Sequence, residues 1–404
     1  MEEVGRNSPC PCGAVKPDGK PLKYKKCCWL KRIPPPPQEV IDGAIKMFQK
    51  YEAERLALQE KGIFINYVKP LTYTNPKTNK KVRAWALGSR LFHSRPEHET
   101  FHMFIADRLK DTLGREWWVE QLQAQQKHFL FKCFIKSDEW ARKSATIEAN
   151  KVDEHTWYAI TDGWAKTLHS LAFDIITLEH TKHLPDHLLK RLRNRGEYQG
   201  AHYEIAVAAI FARLGCSIDF LDTTVTSVTH CEFVATHKET GVSIAVEAKS
   251  RQRPGVKHMG GTAEPERLLR GDVQRLFNKA LAQNPKDRPY IIFIDVNAPL
   301  TPTVLMENKP WFKDIDRMLE NYPVPTPQKP EEYAGLFFTN FSPHYNEENS
   351  SDPNEYLTVI PQYSLHPMPS GIFGDMLIRA VQNYGFIPHI TEDKQTDTVS
   401  GAVG

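Results

Sequence analysis

Every residue from 205 to 212 is apolar. This run lies inside residues 197–215, which read as one helix with Gly215 as its stop. A helix that is apolar all round cannot lie on a surface, so other elements must pack about it. Glu204 stands at the head of the run, with Ala201 and Ala208 on the same face at spacings of three and four. A carboxylate there is costly to bury unless a cation, a metal or a hydrogen bond compensates it.

Residues 241–251 alternate with the period of a β-strand. Val242, Ile244, Val246 and Ala248 share one face, which is expected to meet a core. Ser243, Ala245, Glu247 and Lys249 share the other, which is expected to stay polar. Upstream, residues 229–235 read as a second short strand, with Phe233 and Ala235 alternating against Glu232 and Val234. The order is helix Glu, strand Glu, strand Glu-x-Lys. Two readings follow: a charge cluster that holds a sheet together, or the end of a catalytic site. Further strands are expected at 290–297, 333–341 and 356–360, with helices over 264–283 and 372–384. Strands interleaved with helices in this way give an α/β fold (α+β overall) around a mixed sheet.

Glu204, Glu232, Glu247 and Lys249, with Gly200 and Ala201 before the helix acid, resemble the PD-(D/E)xK nuclease superfamily, the restriction-endonuclease-like fold. That family usually has aspartate as its first strand acid; here it is Glu232, after Cys231. The resemblance implies that Glu232 and Glu247 hold Mg²⁺ or Mn²⁺, that Lys249 activates or orients the attacking water, and that Glu204 supports the metal shell. It also implies a nucleic-acid substrate. The chemistry is coherent on its own terms. Phosphodiester hydrolysis needs a hard divalent ion, carboxylates suit such an ion, and a lysine beside them meets developing negative charge.

Four of the seven cysteines, Cys10, Cys12, Cys27 and Cys28, fall near the start of the chain. Gly-Arg-Asn before Pro-Cys-Pro-Cys-Gly, and Lys-Tyr-Lys-Lys before Cys-Cys, closely resemble the SEC-C zinc-binding motif over residues 5–28, with a longer loop at 14–22. Four thiolates in a segment with almost no core match a tetrahedral structural Zn²⁺ site. Lys16, Lys20, Lys23, Lys25, Lys26, Lys31 and Arg32 make this module basic, which suits nucleic acid or an acidic protein partner as well as a solvated surface. The remaining cysteines are expected to be reduced. No run of eighteen apolar residues and no signal peptide is read in the chain, so no membrane association and a cytoplasmic place are expected. Net charge is only +3, so any nucleic-acid surface must come from local clusters.

The expected organisation is a zinc module at 1–32, a proline spacer at 33–37, a mostly helical region with a β-hairpin at 38–193, the nuclease-like domain at 194–392 and a disordered tail at 393–404. Residues 39–61 read as an amphipathic helix. His98, Glu99 and His102 spell H-E-x-x-H, but the motif falls just after Pro96, where a helix entrance is expected rather than a zinc site. Trp117, Trp118, Trp140, Trp157 and Trp164 read as packed core, with a base-stacking platform as the alternative. The stretch with Lys190, Arg191, Arg193 and Arg195 reads as a phosphate contact or a solvated helix face. Arg251, Arg253 and Lys257 form a loop expected to face substrate, and Gln274 and Arg275 lie on the following helix with the same expectation. The expected function is metal-dependent hydrolysis of nucleic acid. The alternative is an inactive nuclease fold that binds nucleic acid, the ribosome or a protein partner through the zinc module.

Overall fold

The structure is a computed structural model that describes residues 15–16, 19–23, 68–74, 79, 81–87, 90–94, 99–152, 157–181, 184–221, 231–238, 240–262, 264–347, 354–368 and 372–387. Two units separate, Met1–Gln59 and Glu60–Gly404. In the first, Val15 pairs with Pro21 in an antiparallel bridge, and the Lys16 N–H donates to the Lys20 carbonyl at 2.8 Å. Gly19 turns this reversal with φ 77°, a conformation glycine adopts without a steric penalty. Cys10, Cys12, Cys27 and Cys28, the proline spacer, the helix expected at 39–61 and the tail lie outside the described residues.

The second unit opens with β1 (Val68–Thr74), β2 (Lys81–Leu87) and β3 (Arg90–His93), an antiparallel three-stranded sheet where a two-stranded hairpin was expected. Trp85 of β2 is buried against Phe101 and Phe104 of α1 (Phe101–Leu113). Thr100 caps α1 by accepting from the Met103 N–H at 3.3 Å, and the buried Glu99 accepts from Trp85 Nε1 at 2.7 Å. Glu99 therefore precedes the helix, as a helix entrance requires, and His102 packs edge-on against His169. His98 lies outside the described residues. Then follow α2 (Arg115–Gln123), α3 (Phe129–Ala145), α4 (Gly163–Thr181), α5 (Asp186–Arg193) and α6 (Tyr198–Arg213). Of the five tryptophans read as core, Trp117 is buried, whereas Trp157 is 41 % exposed.

The rest of the unit is β4 (Cys216–Phe220), β5 (Phe233–His237), β6 (Ser243–Ser250), α7 (Gln274–Leu281), β7 (Tyr290–Asp295), α8 (Pro310–Glu320), β8 (Gly335–Asn340), β9 (Glu355–Val359) and α9 (Ile372–Gln382). The strands form one mixed sheet in the order β4-β5-β6-β7-β8-β9, parallel at β6–β7 and β7–β8 and antiparallel elsewhere. The all-apolar α6 lies on one face. Phe211 meets Phe233 and Phe293 edge-on, and the Tyr203 hydroxyl bonds Thr339 Oγ1 at 2.7 Å. Helices α4 and α5 cover the outer side of α6. The other sheet face meets α7 and α8, where Phe277, Trp311 and Ile315 pack with Ile292, Ile294, Leu336 and Phe338. Gly215 ends α6 at φ 84°. No helix among the described residues is long and apolar enough to cross a membrane.

Three expectations are corrected. The face of β6 read as polar is buried: the strand is inaccessible from Ile244 to Ala248, and Glu247 is 0 % exposed. The reason is its central place, with a parallel neighbour and helices over both faces. The strand read at 229–235 begins only at Phe233, which leaves Glu232 in the bend ahead of β5. The helix read over 264–283 is broken into a four-residue helix at Pro265–Leu268 and α7. Gly271 sits in the break, and a Cβ there would stand 2.2 Å from the Trp311 carbonyl oxygen, so the backbone approaches α8 only because this residue has no side chain.

Two buried histidines tie this fold to pH. Burial first, then His258 and Arg195, lowers His128 to about 3; burial and His102 do the same for His169, both from an ordinary 6.5. Both rings are neutral in the fold, while the unfolded chain takes up their protons below 6.5. Their contribution is complete above pH 6.5 and is lost as pH falls toward 3, by about 1.4 kcal/mol per pH unit for each ring. Urea unfolding between pH 7.5 and 5 should show this slope, and His169→Gln should make it shallower; an unchanged slope in the variant would contradict the assignment.

Candidate active site

Strand β6 brings Glu247 and Lys249 to one side, two residues apart. Its antiparallel partner β5 sets Phe233 opposite Val246, and the Glu232 N–H donates to the Val246 carbonyl at 3.1 Å. Glu232 is thereby fixed beside Glu247. The Lys249 ammonium joins them: Nζ donates to Glu232 Oε1 at 2.9 Å and forms an ion pair with Glu247 Oε1. Glu204 arrives from α6, and its carboxylate acts electrostatically on both Glu232 and Glu247. The four residues singled out in the sequence therefore converge.

Arg191 of α5 is the member that sequence reasoning placed elsewhere. Its Nη1 and Nη2 donate to Glu204 Oε2 and Oε1 at 2.5 and 2.7 Å, a bidentate pair. Gly200, one turn before Glu204, leaves the space for it, since a Cβ there would lie 3.3 Å from Arg191 Nη2 and 3.6 Å from Glu204 Oε1. The basic stretch was visible in the sequence. Which of its cations turns inward to a carboxylate thirteen residues away was not.

Burial sets the electrostatics. Glu247 is raised from its ordinary value, by burial first and then by Glu232, against the pull of Lys249. Glu204 is raised for the same two reasons, with Arg191 opposing. Burial disfavours the Lys249 ammonium, but Glu247 and Glu232 outweigh it and raise the group above its usual range. Three carboxylates face two cations, and the raised Glu247 is where the unbalanced charge is relieved by a proton when no further cation is bound. Glu247 Oε2 is buried with no hydrogen-bond donor. Glu232 and Glu247 thus fit a hard divalent ion, because Mg²⁺ keeps several waters and takes one or two protein carboxylates. Glu204 is engaged by Arg191, and among the described residues no group of three ligating side chains is preassembled around one metal point.

The loop expected to face substrate is more varied than its charge implies. Arg251 pairs with Asp272 at 2.5 and 3.0 Å. Arg253 points inward: it is 2 % exposed and donates to the carbonyls of Asn297, Arg267, Arg270 and Val296 at 3.0, 2.8, 2.6 and 2.8 Å. A guanidinium with its donors taken by backbone oxygens closes this loop onto the end of β7, which corrects its reading as a nucleic-acid contact. Lys257 is half-buried, with its Nζ 5.9 Å from the Phe129 ring centroid, and burial lowers it from its ordinary value. Gln274 and Arg275 are exposed on α7, Gln274 bonding Asn278 and Tyr322. Gln199 was not singled out in the sequence. Its amide donates to Ser250 Oγ at 2.9 Å and to the Arg251 carbonyl at 2.7 Å, locking the start of α6 to the end of β6.

Removing one partner of a buried ion pair strands the other charge. Arg191→Met should cost about 3 kcal/mol in urea unfolding, and adding Glu204→Leu should recover most of it. Arg253→Ala should cost roughly 3–5 kcal/mol by leaving four carbonyls unpaired, and Arg253→Lys should restore only part, because an ammonium cannot span them. Arg251→Ala, in an exposed pair, should cost less than about 1 kcal/mol. No protein-family model, no curated protein and no solved structure matches this chain.

Proposed function

We propose that the chain is a metal-dependent nuclease that hydrolyses phosphodiester bonds in nucleic acid. The observation that carries this reading is the meeting of Glu232, Glu247 and Lys249 at one point on the sheet, with the Glu247 carboxylate buried and one of its oxygens unpartnered. The succession α6-β4-β5-β6-α7-β7 supports a restriction-endonuclease-like fold. Glu232 and Glu247 would hold Mg²⁺ or Mn²⁺, which when bound neutralises phosphate charge and lowers the pKa of a water. Lys249 is tethered by both carboxylates, so its ammonium is held where it can orient the attacking water and meet the charge that develops on the phosphate oxygens. Glu204, clamped by Arg191, is a positioning residue that biases Glu232 and Glu247 electrostatically. The water oxygen bonds to phosphorus as the bond to the leaving oxygen breaks, and a proton ends on that oxygen.

Cys10, Cys12, Cys27 and Cys28 would bind a structural Zn²⁺, and the module they hold would recruit the substrate or a protein partner. The pairing of Val15 with Pro21, which closes the loop between the two cysteine pairs, supports this. Cys133, Cys216 and Cys231 are buried and unpaired, in keeping with a reducing, cytoplasmic setting.

One observation favours the second reading, an inactive nuclease fold that works as an adaptor. Lys249 and Arg191 already balance two of the three carboxylates through ion pairs made without a metal. The experiment that separates the readings is a cleavage assay with Mg²⁺ or Mn²⁺ on single- and double-stranded DNA and RNA. Glu247→Gln and Lys249→Ala, shown to be folded by circular dichroism, should each lose at least about a hundredfold in rate while retaining binding. Absence of cleavage by the wild type on all four substrates, with binding abolished by Cys10→Ser, would replace the enzyme with the adaptor.

A further inference from the structure

The contacts that hold Lys249 in place also occupy the oxygens on which a divalent ion would sit. Nζ donates to Glu232 Oε1 at 2.9 Å and pairs with Glu247 Oε1, so one ammonium spans both strand carboxylates. Both contacts are direct, and the three groups therefore meet at one point. Glu232 enters from the bend ahead of β5 and Glu247 from the interior of β6. Two carboxylates brought together in this way repel each other unless a cation stands between them. Lys249 is that cation, supplied by the chain itself.

Few oxygens are left over. Glu247 Oε2 is buried without a donor, and both oxygens of Glu204 are held by Arg191 at 2.5 and 2.7 Å. The Lys249 and Glu232 side chains are 20 % and 13 % exposed, whereas that of Glu247 is fully enclosed. An ion coming from solvent meets the ammonium before it meets Glu247. Like charges a few ångströms apart repel strongly where little water screens them. A dication at these carboxylates must displace the ammonium from their Oε1 atoms or sit beside it on the Oε2 atoms. Either arrangement lowers affinity. The lysine stem is flexible enough to swing its ammonium away, so the block is one of competition and not of closure.

We propose that Lys249 is a built-in competitor of the divalent ion: its ammonium stands in the place of the ion on Glu232 and Glu247, so the centre binds metal weakly. The proposal rests on the nuclease reading for the identity of the metal ligands and goes beyond it. One lysine has two opposed effects, serving the reaction of the loaded centre and opposing its loading. A lysine that only oriented water would leave metal affinity unchanged when removed, and one that helped to build the metal shell would weaken it. A competitor does the reverse: its removal slows cleavage and tightens the metal.

The test is calorimetric titration of the full chain with Mn²⁺ and no nucleic acid, at about pH 8, where protons compete less for carboxylates. Thiolates favour softer ions than Mn²⁺, so Cys10, Cys12, Cys27 and Cys28 do not take it up. Lys249→Met, which keeps most of the stem and removes the charge, should bind at least about tenfold more tightly than the wild type. Lys249→Arg, which keeps the charge, should stay close to the wild type. Adding Glu247→Gln to Lys249→Met should abolish the gain. Should Lys249→Met fail to fold, Lys249→Gln, which keeps a neutral donor for Glu232, decides. Equal or weaker binding by the uncharged variant, or a gain that survives Glu247→Gln, overturns the proposal. In the first of these outcomes metal still binds and the nuclease reading stands. Absence of Mn²⁺ binding in wild type and variant alike removes the metal centre, and the nuclease reading falls together with the proposal.

Discussion

Everything at the sheet centre follows from the contact of Lys249 with Glu247 and Glu232. Strand β6 is covered on both faces, so any carboxylate on it loses its water. An isolated carboxylate in such a place gives up its charge or breaks the packing. Lys249, two residues along the same strand, turns that liability into a pair, and Glu232 extends the pair to the neighbouring strand. The cluster ties β5 to β6 where the ladder begins, since Glu232 stands in the bend and its N–H already bonds Val246.

Helix α6 connects this cluster to the rest of the molecule. Its apolar body fills the space between the sheet and α4 and α5, while its first half carries polar groups in several directions. Gln199 holds the end of β6, Glu204 meets Arg191, Tyr203 bonds Thr339 on β8, and Tyr198 and His202 turn toward α3. A helix with no solvent-facing side can do this because each of its faces meets a different element. The same enclosure is why each of these polar groups needs a partner, and why the ones without a partner are informative.

The carboxylate cluster holds two tendencies. Its cations make it stable as an ion-pair network, while a third carboxylate and an unpartnered Glu247 oxygen are the features on which the proposed divalent-ion site rests. Both follow from grouping three acids around two bases in a low-dielectric interior, where each charge is raised or held by its neighbours rather than by water. Arg253 shows the contrasting case. Its guanidinium is spent on four backbone carbonyls and the Asp272 carboxylate, and that gives the loop after β6 its shape.

Much of this was legible in the sequence. The apolar run at 205–212 fixed a buried helix, the stop at Gly215 fixed its end, and 290–297 and 333–341 announced core strands, because periodicity and composition report local burial directly. The grouping of Glu204, Glu232, Glu247 and Lys249 was legible as an order of acids and a base along helix and strands. What the sequence left undetermined lies between elements. The alternation of 241–251 marks two faces but cannot say that helices close over both of them. A basic stretch cannot say that Arg191 turns to Glu204 while Arg253 turns to four carbonyls, and Gly271 shows its purpose only against Trp311. Local pattern is set by neighbours along the chain, and the sequence alone determined it. Which charge meets which, and which polar atoms are left without water, depends on distances across the packed core, and only the tertiary structure decided that.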